Sequence, residues 1–118
     1  MHRTIASALL ILVLAAPLAV AGGARSDAQA QVQFGIDVAQ KGLWKEALYR
    51  WEKAVELDPQ YAAAYNNLAI AYEHEGMFEK ARKAYDKALE LDPKNVSIRQ
   101  NYDFFKEIND RASRRTTR

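Results

Sequence analysis

An all-α fold, in which two helix-turn-helix units stack into a short solenoid and a further helix closes the stack, is expected from this chain on three observations. The first is a repeat. Residues 62–95 lie over residues 28–61 at an offset of 34 positions, with Gly42 on Gly76, Trp44 on Phe78, Ala47 on Ala81, Trp51 on Tyr85, Ala54 on Ala88 and Leu57-Asp58-Pro59 on Leu91-Asp92-Pro93. A period of that size marks helix pairs that bury their apolar faces only against their neighbours. The second is periodicity. Trp44, Ala47, Leu48, Trp51, Ala54 and Val55 recur at i, i+3, i+4 and i+7, as do Tyr65, Leu68, Ala69 and Tyr72, which places each set on one face of a helix. The third is punctuation. Gly42 and Gly76 follow the first helix of each pair, where a left-handed C-cap lets the chain reverse. Pro59 and Pro93 end the second helices by removing a donor and restricting Asp58 and Asp92 before them.

With 118 residues, 49% hydrophobic and 27% charged, the chain has room for one small domain and no second core. It contains no cysteine, which removes disulfide frameworks, thiol nucleophiles and Cys-ligated metal sites from consideration.

Taken in order, Met1, His2 and Arg3 precede an apolar run over residues 5–16, then Pro17 and the small-x-small sequence Ala19-Val20-Ala21. This order predicts a secretory signal peptide over residues 1–21 with cleavage after Ala21, and the run is shorter than the ~20 residues of a spanning helix. The alternative is an uncleaved anchor, because only Ser7 and Pro17 interrupt the apolar character as far as Ala21. A lipid anchor lacks the cysteine it would need, and a cysteine-free mature chain suits an oxidising compartment. Residues 22–27, small and polar with two glycines, read as a linker.

The two repeats then occupy residues 28–61 and 62–95. Ala47, Ala54, Ala81 and Ala88 are small enough for the helices of a pair to approach closely, while Trp44, Trp51, Phe78 and Tyr85 are expected to fill the space between successive pairs. After Pro93 the inward stripe continues with Ile98, Tyr102 and Phe105. Ala69 and Tyr72, however, are answered 34 positions later by Asp103 and Lys106, polar groups where a following helix would have to pack. Residues 96–110 are therefore expected to be a capping helix with a wet outer side, N-capped by Asn95. Residues 111–118 hold four arginines and no acid, and read as a flexible basic tail. Residues 22–110 carry 12 basic and 15 acidic side chains, a balance of −3, so the net charge of +2 comes from the ends. The tail offers at most an electrostatic contact with an anionic surface; without interleaved aromatics or a reading helix, nothing supports sequence-specific nucleic-acid binding.

A search for chemistry finds no site. His2 lies in the leader, and the helical neighbours of His74 are Ile70, Met77 and Phe78 rather than second metal ligands. No phosphate-binding loop, nucleophile elbow or HExxH motif occurs. No catalytic residue, metal or cofactor is assigned, and an enzyme is not expected.

Tyr65-x2-Leu68-Ala69-x2-Tyr72, Ala81-x3-Tyr85-x2-Ala88 and Pro93 together resemble the tetratricopeptide repeat pattern, with alanine for the usual glycine at Ala69 and tyrosine for tryptophan at Tyr65. The upstream copy is weaker in its first helix, where Gln31, Phe34, Gly35 and Val38 hold the same places. The resemblance spans residues 28–95 and implies a right-handed superhelix whose first helices line a concave, partner-binding side. In the 34-residue register that side carries an apolar column of Ile36, Ile70 and Phe104 and an amide column of Gln33, Asn67 and Asn101. Val32, Asn66 and Gln100 form a third column, and Glu73 with His74 closes one edge. Amides both donate and accept, which suits the backbone of a bound segment, and the apolar column suits its anchors. Tetratricopeptide domains that clamp a C-terminal carboxylate use lysines, an arginine and asparagines here; only Asn67 fits, with Val32, Ile36, Ser97 and Asn101 at the other places, so that clamp is not expected.

The function expected at this point is that of an exported, bacterial periplasmic adaptor that binds a protein or peptide. Two rivals are kept. A homodimer could complete the core, since two repeats and a cap fall short of the three usually needed. A retained leader would instead make the chain an inner-membrane-anchored scaffold subunit facing the periplasm.

Overall fold

The computed structural model describes residues 18–117, and five helices follow one another through them: α1 (Leu18–Gln40), α2 (Trp44–Leu57), α3 (Ala62–His74), α4 (Phe78–Leu91) and α5 (Val96–Thr116). The expected leader, residues 1–21, falls outside the described residues except for its last four positions, which begin α1. Among the described residues no helix is long and apolar enough to cross a membrane.

The turns are built as their residues require. Gly42 and Gly76 adopt φ of 77° and 72°. Around the first, Leu43 N donates to Val38 O at 3.0 Å and Gly42 N to Ala39 O at 2.9 Å; around the second, Met77 N donates to Tyr72 O at 2.8 Å and Gly76 N to Glu73 O at 3.0 Å. These are paired Schellman closures, and they reverse the chain in the same way in both repeats. Asp58 and Asp92, each followed by proline, cap α2 and α4 at the other end. Asn95 caps α5 as expected, its Oδ1 accepting from Ile98 N at 3.1 Å.

Packing divides the core between two aromatic centres. Trp51, only 3% exposed, sits among Val32, Ala47, Ala54, Ala64 and Leu68. Its Nε1 donates to the carbonyl of Val32 at 3.0 Å, so the indole is satisfied inside the first repeat while it also reaches α3. Tyr85, 1% exposed, stacks on Tyr102 at a centroid distance of 5.1 Å and lies 5.6 Å from Phe105, so α5 covers the apolar face of α4. The four alanines expected at the close approaches are all fully buried. Asp103 is exposed and Lys106 half-buried on the outer side of α5, as a cap requires.

Four expectations need correction. Residues 22–27 are not a linker but part of α1, because Arg25 holds this stretch against the turn that follows α2. Its guanidinium pairs with Asp58, lies 4.6 Å over the Tyr61 ring and donates to Gln60 O at 3.4 Å. The hydrogen bond from Arg25 to Asp58 holds the Asp58 carboxyl below the usual carboxylate range, partly opposed by burial. The capping helix does not stop at residue 110 but runs to Thr116, so most of the supposed flexible tail is helical: no glycine or proline interrupts it, Arg111 pairs with Glu107 one turn back, and Arg114 and Arg115 complement the C-terminal dipole. Phe78 does not fill the space behind its repeat as expected, whereas Trp44 does cross from the first repeat to the second, at the edge of the joint. Phe78 is 47% exposed, and Trp44 is half-buried with its ring stacked on His74. Val32 is a core residue rather than a member of the partner-binding columns, because it is buried in the cluster around Trp51, whose Nε1 donates to its carbonyl.

Gly35 makes the first repeat possible. A Cβ at this position would stand 2.2 Å from Trp51 Nε1, with ring carbons at 2.7 Å. At the matching place in the second repeat, Ala69 is tolerated opposite the single ring of Tyr85. Gly35→Ala is therefore expected to cost about 1 to 3 kcal/mol through overpacking, read as a lowered denaturation midpoint; an unchanged midpoint would show that the indole can move aside at no cost.

Candidate partner-binding groove

The first helices α1, α3 and α5 share one side of the stack, and three open hollows run along it. The first lies between α1 and α3, where Ile36, Ala39, Trp44, Asn67 and Ile70 form the walls. Ile70 also borders the second, between α3 and α5, with Glu73, His74, Tyr85, Asn101 and Phe104. Glu73 and His74 continue into the third with Phe78, Phe105, Ile108 and Asn109. Shared walls make the three a continuous groove, mostly apolar, that crosses all three helices. Such a shape suits an extended or helical segment better than a compact small molecule.

Polar groups are placed along it. Asn101 Nδ2 donates to Asn66 Oδ1 at 3.1 Å, and Asn66 Nδ2 donates to Asn67 Oδ1 at 3.3 Å, which ties α5 to α3. Asn67 Nδ2 and Asn101 Oδ1 form no hydrogen bond among the described residues, leaving one donor and one acceptor on residues that line the groove. The half-buried Glu73 carboxylate accepts a hydrogen bond from the Tyr85 hydroxyl. Burial pushes the Glu73 carboxyl above the usual carboxylate range, against the pull of the Tyr85 hydrogen bond and of His74. Burial together with the Glu73 contact pushes the Tyr85 hydroxyl well above its ordinary value, so it stays a donor. The His74 imidazole lies flat on the Trp44 indole, with centroids 3.5 Å apart and planes within 8°.

Of the residues expected on this face, Ile36, Asn67, Ile70, His74, Asn101 and Phe104 come together in the groove, with Asn66 linking two of them. Gln33 does not join an amide column: it is exposed and donates to Asp37 Oδ1 on its own helix at 2.9 Å. Gln100 is exposed and borders none of the three hollows, the amide link being made by Asn66 instead. Sequence reasoning missed Ile108, Asn109, Trp44 and Phe78 as groove residues. Ile108 was within reach, since Gln40, His74 and Ile108 follow the same 34-residue register one turn beyond Ile36, Ile70 and Phe104. Among the described residues no group of three or more His, Asp or Glu could hold a metal ion.

Antiparallel helix pairs stacked at a fixed repeat, with one groove across their first helices, define a helical-solenoid protein. The family model for the tetratricopeptide repeat matches residues 62–95, and a second, described as TPR repeat, matches residues 38–76. The chain belongs to the tetratricopeptide repeat family, whose members generally mediate protein–protein interaction and are typically non-enzymatic. Among curated proteins, none matches the chain.

Proposed function

We propose that this chain is a non-enzymatic adaptor of the bacterial cell envelope whose concave groove holds a segment of a partner protein. The observation that carries the reading is the continuity of the three hollows through Ile70, Glu73 and His74, with Phe104 standing 64% exposed at their centre. An exposed aromatic of that size beside half-buried apolar walls is the arrangement of an interaction anchor. Export to the periplasm is supported by the charge, apolar run and small-residue site of residues 1–21; an inner-membrane anchor remains the rival use of that segment. Self-association is the second reading, favoured by the exposure of Val96, Phe104 and Ile108 along α5.

The test is a paired substitution. Ile70 packs against the Tyr85 cluster, so a charge there would disturb the core. Phe104→Glu alters an exposed groove residue, and such changes usually stay within about half a kcal/mol, while Asn67→Ala on the half-buried neighbour also gives up the hydrogen bond it accepts from Asn66, worth about 0.5 to 1.5 kcal/mol. Capture of partners from the native envelope fraction is expected to fall by about tenfold or more, because a glutamate facing a desolvated apolar contact costs at least about 1.4 kcal/mol. Equal recovery by a normally folded variant would place the interaction elsewhere. A mass measurement in solution separates monomer from dimer.

A further inference from the structure

We infer that the concave groove is built for a partner segment carrying a lysine or arginine next to apolar residues, with Glu73 as the anion that receives the cation; the inference rests on the groove reading above.

Among the residues that line the three hollows, Glu73 is the one carboxylate and none is a lysine or arginine. It stands on the wall shared by the second and third hollows, so a cation reaching it would sit between Phe104 and Ile108. Its position is held rather than loose. The hydroxyl of the buried Tyr85 donates to Glu73 Oε2, which leaves the other oxygen for a ligand. Glu107, the same register position one unit later, is already paired with Arg111, whereas Glu73 has no ion pair among the described residues. The adjacent His74 ring is committed to the face of Trp44. A half-buried carboxylate without a cation is unfavourable, and burial shows this by raising its proton affinity. An incoming ammonium or guanidinium relieves that cost, while its methylene stem lies along the exposed Phe104 ring.

Another hollow, away from this groove, has the opposite sign, which makes the assignment selective. The groove between α3 and α4 is lined by Lys80, Lys83 and Lys87 beside Tyr65, Leu68 and Tyr72, with no acid among its described lining residues. An acidic segment would find its complement there and not in the concave groove.

The experiment is selection of random dodecapeptides displayed on phage against the full chain, with affinities of the enriched peptides measured on wild type, Glu73→Gln and Phe104→Glu. The expected peptides carry Lys or Arg beside Leu, Ile or Phe, bind about tenfold or more weakly to Glu73→Gln, and are lost on Phe104→Glu. Glutamine keeps an oxygen for the Tyr85 hydroxyl and removes the charge that burial opposes. Glu73→Gln should therefore unfold at the same temperature as wild type or higher, so weakened binding is not lost folding. Peptides rich in Asp or Glu, no enrichment of any peptide, or peptides sensitive to Phe104→Glu but indifferent to Glu73→Gln would overturn the cation assignment. The last of these results leaves the groove reading standing. Peptides indifferent to both variants would overturn the groove reading and the inference together. A wild-type dimer that Glu73→Gln converts to monomer would make a second copy the occupant, and would also overturn the inference.

Discussion

Trp51→Ala is expected to lower stability by about 3 to 5 kcal/mol, the cost of removing a large buried aromatic and leaving a cavity. The neighbours that would have to close the gap are Ala47, Ala54 and Ala64 with Val32 and Leu68, and the alanines have no side-chain atoms to move into it. The hydrogen bond from Nε1 to the Val32 carbonyl goes as well. Because Trp51 reaches α3 as well as α1, the loss weakens the joint between the repeats and not only the first pair. For a domain of this size that is a large part of the total stability, so the variant should be partly unfolded at ambient temperature by circular dichroism. A shift in melting temperature of only a degree or two would mean that the first core is not centred on this residue.

The second large effect concerns the cap. Deleting residues 96–118 removes Ile98, Tyr102 and Phe105 from the face of Tyr85, Ala88 and Leu89, which are otherwise buried. Three aromatic contacts at 5.1 to 6.4 Å disappear with them. The truncated chain should aggregate or dimerise through the exposed face. Deleting only residues 111–118 removes a helical but fully exposed stretch over the described positions and should leave folding intact, with a small fall in helicity from the shortened α5. Equal solubility of the two truncations would show that α5 is an appendage and not a cap.

Most of the architecture was legible in the chain because a helical repeat writes the same local requirements twice. Glycine at a left-handed cap, proline after the second helix and alanine at a close approach each have a short-range physical cause, and all of them appear at Gly42, Pro59 and Ala47 and again 34 residues later. What escaped was long-range. Residues 22–27 look like a linker by composition, and only the grip of Arg25 on Asp58, 33 residues away, explains why α1 continues through them. The groove was read from columns that treat all three first helices as equivalent. They are not: α1 and α3 are each followed by a second helix and α5 is not, so Val32 is buried while its register mate Gln100 is exposed. Hydrogen bonding between asparagines likewise crosses the columns, from Asn101 to Asn66, because side-chain direction and not register alone decides which amides meet.

The most direct test of the groove is a nuclear magnetic resonance titration of the labelled chain with the partner segment, or with the tightest dodecapeptide selected as above. The side chains of Ile36, Asn67, Ile70, Asn101 and Phe104 and the indole of Trp44 should shift together in a saturable, one-to-one manner, while Tyr65, Tyr72, Lys80 and Lys83 in the lysine-lined hollow stay in place. Shifts confined to the lysine-lined hollow, with the concave residues unmoved, would contradict a concave binding site.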